Sequence, residues 1–304
     1  MAIMKTDGTT NQGFQSWIID PLKTNIYFLY SMGDLIKKEA LKNASGSTFL
    51  EISNSEVKKL KIKYSSKPEQ DKIGNLLSKL DNTLTLLQQR EEKLYSFKRR
   101  LNQHFFREAY MKNFSKRSIS SLGDIYSGLS GKNKSDFDHG KGHYITYINI
   151  NRNLISDIDG INTIEIDNKQ NLVRKGDILF TLSSETPDEV GLASVWLYDL
   201  SNTYLNSFSF GFRPNNQILD SLYLGYFFRS DYFRKKSFPL AQGISRYNLS
   251  KKSFLNLTIP IPTLKIQQKI AHTLYTVDNL ISKNKNITST LYKLKQFLLQ
   301  NMFI

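Results

Sequence analysis

The sequence contains no cysteine, which excludes a disulfide framework and any metal site built on thiolate ligands. It also lacks any stretch approaching the roughly 20 consecutive apolar residues that a membrane-spanning helix requires. Residues 1–12 are polar and contain no apolar run of signal-peptide length. We therefore expect a cytoplasmic protein that has no membrane among its partners.

Acidic residues are scarce relative to basic ones. The chain has 42 Lys and Arg but only 27 Asp and Glu, so its formal net charge is +15 at pH 7. For a folded chain of this size such an excess favours a polyanionic partner, and nucleic acid is the first to consider. A lysine-rich composition with a solvated basic surface is the alternative.

Motifs that carry catalysis are also missing. The loop 127–132 looks like a phosphate-binding loop, but it lacks the first glycine of that motif, and no Ser or Thr follows Lys132. The carboxylates and histidines between Asp136 and His143 have no zinc-like spacing, so a solvated loop is the favoured interpretation. Neither the Asn-Pro-Pro-aromatic tetrapeptide of methyltransferases nor a glycine-rich cofactor loop occurs. We predict no catalytic site, no metal and no cofactor.

An internal repeat organises the chain. The residues Gln-Asp-Lys-Ile at 70–73 recur as Gln-Gln-Lys-Ile at 267–270, a separation of 197 positions (270 − 73). The same separation relates further pairs, among them Leu60 and Leu257, Ile62 and Ile259, Leu94 and Leu291, and Tyr95 and Tyr292. A unit this long exceeds the roughly 20–50 residues of a solenoid repeat. The repeat therefore predicts two copies of a domain followed by a helix.

Each copy contains a stripe of apolar residues at the spacing of a coiled coil. From Ile73 onward the apolar residues alternate steps of four and three. We predict two long helices, at 65–112 and 263–304, that pack as an antiparallel coiled coil; a pair of ordinary core helices is the alternative. The residues assigned to this helix pair and to a subunit interface are Ile73, Leu77, Leu80, Leu84, Leu94, Leu101, Ile270, Leu274, Val277, Ile281, Leu291 and Leu298.

The region 113–262 between the helices predicts a complete globular domain of mixed α/β class. Its strand candidates are 144–150, 163–166, 177–182, 194–198, 204–212 and 255–261, and a helix is predicted over 219–236. Residues 1–64 are short for a domain, with predicted strands at 14–19 and 57–64 and a helix at 26–41. The repeat matches them only to the last third of the region before Gln267, so we expect an incomplete copy of the same domain.

Three polar loops of the region 113–262 are candidates for DNA contact. Loop 127–134 is basic and suits the phosphate backbone. Loop 183–189 could read base edges; a capped turn, or a nuclease site built from Asp177, Glu185 and Glu189, is the alternative. Loop 242–247 combines a permissive glycine with Arg246, which can make bidentate base contacts. The residues predicted to face DNA are Lys132, Lys134, Tyr147, Asn149, Ser184, Glu185, Ser245, Arg246 and Tyr247.

With the duplicated helices and the intervening domain assembled, the chain resembles, over essentially its whole length, the specificity subunit of type I restriction-modification systems. The resemblance rests on the starts of the long helices at 68–73 and 262–270, on Gly128-Leu129-Ser130-Gly131-Lys132 through Asp136-Phe137, on Tyr144-Ile145-Thr146-Tyr147-Ile148-Asn149, and on Gly176-Asp177-Ile178-Leu179-Phe180 running into 183–187. Residues 10–14 look like an internal piece of a target recognition domain.

This resemblance implies two target recognition domains, each reading one half of a split site in double-stranded DNA, with the paired helices between them as a spacer. It implies that the helices dock two modification subunits, which bring S-adenosylmethionine and the adenine-methylating site, and that restriction subunits join this core. The chain itself would then be non-catalytic. Its incomplete first domain would need another polypeptide or a second copy of this chain. A stand-alone metal-dependent nuclease and a coiled-coil DNA-binding adaptor are the alternatives.

Overall fold

The computed structural model describes residues 1–11, 14–42, 52–215 and 217–303, and the chain divides into two compact units. Unit 1 comprises Met1–Tyr95 and Asn279–Ile304, and unit 2 comprises Ser96–Asp278. The fold is mixed α/β, as predicted. Among the described residues, no helix has both the length and the apolar character of a membrane span.

Unit 1 is helical. Its elements are α1 (Ile26–Ser31), α2 (Gly33–Leu41), α3 (Asn54–Val57) and the unit's part of the first long helix, α4 (Lys67–Phe105). The side chain of Asn25 caps α1 by accepting hydrogen bonds from the N–H groups of Tyr27 and Phe28. Phe28 packs with Ile73 and Leu77 of α4 in a small core. The unit therefore forms by burying the first half of α4 under two short helices.

Several elements predicted for residues 1–64 differ from the structure. The helix predicted over 26–41 is interrupted at Met32, which ends α1 and precedes α2. The strands predicted at 14–19 and 57–64 were wrong, because Val57 ends α3 and the described residues of both segments form no strand. An apolar alternation becomes a strand only where another strand completes its backbone hydrogen bonds.

Unit 2 contains every strand found among the described residues. In chain order its elements are α5 (Glu108–Met111), β1 (Ser115–Ser118), β2 (Gly123–Ser127), β3 (Phe137–Ile145), α6 (Tyr147–Arg152), β4 (Ile161–Ile164), β5 (Ile178–Thr181), β6 (Ser183–Ser184), β7 (Ala193–Val195), β8 (Thr203–Leu205), β9 (Ser209–Pro214), α7 (Ser221–Arg229), α8 (Asp231–Ser237), β10 (Ala241–Gln242), β11 (Tyr247–Leu249), α9 (Lys251–Asn256), β12 (Thr258–Ile261) and the second long helix, α10 (Leu264–Asn301), whose later part belongs to unit 1.

The strands of unit 2 form four small sheets. The order is β2-β9-β5-β7 in the largest, with β4-β3-β8, β10-β11-β6 and β1-β12 beside it. The core lies between the largest sheet and helices α7 to α9. It is aromatic: Phe180 of β5 stacks on Phe210 of β9 at 5.0 Å between ring centroids, and Phe228 and Phe254 pack edge-on against Phe180. This core packs against β5 and β9, the two central strands of the largest sheet.

Side-chain caps explain where predicted elements of unit 2 break. The strand predicted over 144–150 ends at Ile145, because the Thr146 hydroxyl accepts a hydrogen bond from Asn149 N and starts α6. The strand predicted over 204–212 is two strands, because Asn206 Oδ1 accepts from Phe208 N and turns the chain. The helix predicted over 219–236 divides at Ser230, which caps α8.

The two predicted long helices are present and antiparallel within each unit. In unit 1, Asp81 of α4 pairs with Lys295 of α10 at 2.5 Å, while Glu91, further along α4, pairs with Lys285, earlier on α10. In unit 2, Lys98 pairs with Asp278 at 2.5 Å. Of the assigned seam residues, eight are buried: Ile73, Leu77, Leu80, Leu84, Ile270, Leu274, Val277 and Ile281. The other four are half-buried: Leu94, Leu101, Leu291 and Leu298.

Candidate nucleic-acid interface

The three candidate loops meet at one edge of unit 2. At the end of β2, Ser127 lies opposite Phe210 of β9, and at the end of β5, Thr181 lies opposite Ser209. At the start of β11, Tyr247 lies opposite Ser184 of β6. The turn 206–209 joins the three loops, because Gly128 N donates to Ser209 O, Leu182 N donates to Phe208 O, and Arg246 lies over the Phe208 ring. We call the loops 127–134, 183–189 and 242–247 together with this turn the strand-end surface.

Loop 242–247 presents an arginine on an aromatic platform. The guanidinium of Arg246 lies over the ring of Phe208, 4.8 Å from its centroid, and the Phe208 ring is 51% exposed. Such stacking holds the planar guanidinium while its N–H donors stay available to a ligand. The turn requires glycine, since Gly243 has a φ of +143° and a Cβ there would lie 2.0 Å from Arg246 O. Ser245 is exposed and Tyr247 is half-buried.

Loop 127–134 is fastened to the loop that follows β4. Lys132 Nζ lies 2.8 Å from Asp167 Oδ2, and the side chain of Lys132 is only 12% exposed. The Lys132 ammonium, followed by hydrogen bonds from Lys169 N and Gln170, lowers the pKa of Asp167 to about 2. Lys134, in contrast, is exposed and forms no ion pair within the described part of the chain. Lys132 thus anchors the loop and Lys134 carries its free charge.

Loop 183–189 divides into internal and exposed residues. The buried Ser184 donates its hydroxyl hydrogen to Glu189 Oε2 at 2.7 Å and accepts a hydrogen bond from Thr186 N. Thr181 Oγ1 donates to Glu189 O at 2.6 Å. These bonds hold the turn, and the neighbouring Glu185 is the exposed carboxylate of the loop.

The two candidates on α6 are placed inside unit 2. Asn149 is buried, its Nδ2 donates to Asp157 O at 2.7 Å and Gly160 O at 3.0 Å, and its Oδ1 accepts from Asp157 N. Every polar group of this amide is therefore used in holding the turn 157–160. Tyr147 is half-buried, and its hydroxyl oxygen is buried without a hydrogen-bond partner among the described residues. Sequence reasoning could not separate these two residues from exposed ones.

The carboxylates of the nuclease alternative do not converge. Asp177 is buried and accepts hydrogen bonds from Arg213 Nη2 at 2.7 Å, from Tyr126 Oη at 2.7 Å and from Arg174 N at 2.8 Å. Burial, and then the charge of Asp177, raises the pKa of Tyr126 well above its usual value. Glu189 is bonded within its own loop. No group of three His, Asp or Glu that could hold a metal ion occurs in the described ranges.

One residue of the strand-end surface, Phe208, and one that contacts it, Lys251, were missed. Phe208 was read as the interior of one long strand, although Asn206 and the following serine are turn residues and could have revealed the break. Lys251, at the start of α9, donates to Ser127 Oγ at 2.9 Å and lies over the ring of Phe210. Burial lowers the pKa of Lys251. The contact between Lys251 and Ser127 could not be predicted from the local sequence, because the two residues are 124 positions apart.

The chain is similar to proteins of one family. A family model described as the type I restriction modification DNA specificity domain matches residues 1–96 and 111–292. The chain is 23% identical over 301 residues to the Type I restriction enzyme MjaVIII specificity subunit of Methanocaldococcus jannaschii, covering 90% of this chain and 68% of that protein. A MjaIX specificity subunit of the same organism is 29% identical over 210 residues, covering 62% of this chain and 49% of that protein.

Two solved structures share the fold. The S subunit of a type I restriction-modification system from M. genitalium superposes with a TM-score of 0.60 at 18% identity, covering 94% of this chain and 74% of that one. The HsdS subunit from Thermoanaerobacter tengcongensis gives a TM-score of 0.55 at 17% identity, covering 93% and 70%. At these identities the likeness shows the fold alone.

Proposed function

The chain belongs to the family of type I restriction modification DNA specificity domains, and we propose that it supplies DNA sequence recognition to such a system without catalysing methyl transfer or cleavage itself. One observation supports this most: loops from distant parts of unit 2 converge on a single strand-end surface that carries Arg246, Lys134 and Glu185. A surface with cations and both donors and acceptors suits contact with phosphates and base edges together.

The proposed contacts follow from side-chain chemistry. The guanidinium of Arg246 can donate two hydrogen bonds to the O6 and N7 atoms of guanine. Glu185 can accept from the N4 amino group of cytosine, and Ser245 can donate or accept at a base edge. Lys134 neutralises a phosphate and gives no sequence preference. Tyr247 stacks or donates beside Arg246.

Four other candidates act by supporting this surface. Lys132 fixes loop 127–134 through Asp167, and Ser184 fixes loop 183–189 through Glu189. Asn149 ties α6 to the turn 157–160, and Tyr147 lies half-buried at the start of the same helix. We propose these four as positioning residues, because their polar groups are buried or already engaged within unit 2.

The helices are the proposed docking sites for two modification subunits, which would carry S-adenosylmethionine and methylate adenine, and restriction subunits would join them. Exposed side chains outside the seam support this, since they recur at the separation of the repeat. Tyr95 and Tyr292 are exposed, as are Phe97 and Leu294. Apolar residues repeatedly exposed at equivalent positions indicate two similar interfaces.

We further propose that 113–262 is one complete recognition domain and 1–64 is part of another. A split DNA target would then be read by two such domains, of which this chain provides the second in full. Residues 1–64 correspond only to the last third of that complete domain.

The test is co-expression of the chain with its candidate modification subunit, followed by mapping of N6-methyladenine in the host DNA. Arg246→Ala removes a bidentate base contact and should cost about 1–3 kcal/mol at one base, so one position of the methylated motif should become degenerate. Lys134→Ala should weaken binding to all sequences equally and leave the motif unchanged. Lys235→Ala on α8, outside the strand-end surface, is the matched control.

The outcomes are separable. A motif that is unchanged at every position by Arg246→Ala, with methylation retained, would remove Arg246 from base recognition. Loss of methylation together with loss of co-purification would indicate a folding or docking defect, and Arg246→Lys, which keeps the charge but loses the bidentate geometry, then provides the decisive variant.

A further inference from the structure

Through the internal repeat, a segment of unit 1 corresponds to a strand that is paired in unit 2. In unit 2, β12 pairs antiparallel with β1, and Ile259 of β12 lies opposite Arg117 of β1. The repeat places residues 61–64 of unit 1 at the position of β12, with Ile62 as the counterpart of Ile259 (62 + 197 = 259). In the part of the chain that the structure describes, the backbone N–H and C=O groups of Ile62 and Tyr64 have no hydrogen-bond partner.

A repeated glutamine holds both segments in the same local geometry. Gln70 Nε2 donates to Ser65 O at 2.8 Å, and Gln267 Nε2 donates to Pro262 O, also at 2.8 Å. Each glutamine also accepts a hydrogen bond, at 3.1 Å in unit 1 and 2.9 Å in unit 2, from the residue that caps the adjacent short helix. Ser65 and Pro262 directly follow the two segments, so the backbone leads into each long helix in the same way.

The unpaired segment borders an apolar groove within unit 1. Ile259 is fully buried in unit 2, whereas Ile62 is half-exposed and Tyr64 is 66% exposed. The groove has a volume of about 510 Å³, and its lining includes Trp17, Phe28, Leu60, Ile62 and Tyr64. An apolar wall beside unpaired backbone groups is a surface that accepts an added β-strand.

We propose that residues 61–64 accept a β-strand from a separate polypeptide, antiparallel and in the register of β1 against β12. The chemistry of that strand follows from β1, whose four residues are polar or basic (Ser-Lys-Arg-Ser) and are followed directly by Ile119. Ile119 N donates to Leu257 O at 2.9 Å, and its side chain is buried in the core of unit 2. The incoming strand therefore carries an apolar residue at that next position, and it fills the groove beside Leu60.

A separate polypeptide is favoured over the two candidates that residues 1–304 themselves provide. In a second copy of this chain, β1 is already paired with its own β12. Residues 15–20 line the same groove, but no hydrogen bond joins them to 61–64 within the described ranges. The inference rests on the proposed function, because the completed first unit would read the second half of the target. The test of strand addition involves no DNA, so strand addition and DNA recognition can each fail without the other.

Disulfide trapping tests the register, and the absence of native cysteine makes each cross-link unique. Pro260 has no N–H, so Lys116 opposite Pro260 is a non-hydrogen-bonded pair, and Ser118 opposite Thr258, two residues along, is another. Cα atoms in such pairs lie about 4.5 Å apart, within the range that a disulfide spans. The counterparts of Pro260 and Thr258 in unit 1 are the exposed Lys63 and Lys61.

The probe is a synthetic peptide with the sequence of residues 114–124, carrying cysteine at the position of Ser118 or of Lys116. It is equilibrated in a glutathione buffer with the full chain carrying Lys61→Cys or Lys63→Cys. The matched combinations, Lys61→Cys with Ser118→Cys and Lys63→Cys with Lys116→Cys, should form about tenfold more mixed disulfide than the crossed ones, because diagonal neighbours lie about 7–8 Å apart, beyond disulfide range.

Equal yields in all four combinations would overturn the proposal, as would no yield above that of a scrambled peptide. Self-cross-linking of Lys61→Cys, with a concentration-dependent dimer in light scattering, would assign the groove to a second copy and also overturn it. Fluorescence gives an independent reading: Trp17 lines the groove and Trp196 is buried in unit 2, so the unmodified peptide should shift the emission to the blue, and Trp17→Phe should abolish the shift.

Discussion

Replacing Tyr226 by phenylalanine will destabilise unit 2 through the loss of one charge-assisted hydrogen bond. The hydroxyl of Tyr226 donates to Asp278 Oδ2 at 2.6 Å, and Lys98 Nζ lies 2.5 Å from the other oxygen of the same carboxylate. Burial, and then the bond to Asp278, raises the pKa of Tyr226. Hydrogen bonds to charged groups contribute about 1.5–3 kcal/mol, and the buried Tyr226 should lie in that range, at about 2 kcal/mol.

Unit 1 contains the matched control. Tyr27 donates to Asp81 Oδ2 at 2.6 Å, and Lys295 pairs with the other oxygen of Asp81 at 2.5 Å. The aspartates and lysines are related by the repeat, but the tyrosines are not, since Tyr27 is the second residue of α1 and Tyr226 the sixth of α7. Because Tyr27 is half-exposed, water competes for its bond, and Tyr27→Phe should cost only about 1 kcal/mol.

The measurement is hydrogen exchange of the full chain followed by mass spectrometry, since two compact units need not unfold in one transition. Tyr226→Phe should speed exchange in α7, and Tyr27→Phe should do so in α1. In a double-mutant cycle, Tyr226→Phe with Asp278→Ala should show a coupling of about 1.5–2 kcal/mol. Additive effects, or a larger cost for Tyr27→Phe than for Tyr226→Phe, would refute the assignment of the stabilisation to this bond.

Two further predictions concern the anchored loop and the helix seam. Asp167→Asn should release loop 127–134, because it removes the ion pair with Lys132. Since the pKa of Asp167 is lowered to about 2, this ion pair is fully present above the unfolded-state pKa of about 3.9 and is lost as the pH falls towards 2. Carboxyl NMR titration measures the pKa of Asp167, and Asp188→Asn is the control variant. A titration midpoint near 4 for Asp167 would contradict it. Leu77→Lys places an unpaired charge at a fully buried seam position, so it should cost more than about 3 kcal/mol and abolish co-purification with a modification subunit. Leu76→Lys, at a 46% exposed position, should cost under about 0.5 kcal/mol. Thermal unfolding and co-purification check both variants, and normal co-purification of Leu77→Lys would remove the seam from subunit docking.

The repeat and the helix pair could be read from the sequence because both are encoded in local spacing. A stripe of apolar residues from Ile73 onward sets the face that a helix must bury, whatever covers it. The absence of catalytic motifs and the excess of basic residues are likewise properties of composition. The ends of the long helices α4 and α10 accordingly lie one to seven residues from their predicted limits, 65–112 and 263–304.

Tertiary structure alone decided which polar residues are exposed. Asn149 and Arg246 are both polar residues in plausible recognition motifs. The amide of Asn149 is fully used by the turn 157–160 and Asn153, whereas the guanidinium of Arg246 lies over the ring of Phe208 and has no ion pair among the described residues. Lys132 and Lys134 are two positions apart, and only a partner 35 residues away (167 − 132) makes the first an anchor. Spacing along the chain determines which elements form; the partners of a side chain depend on contacts between elements that the local sequence does not encode.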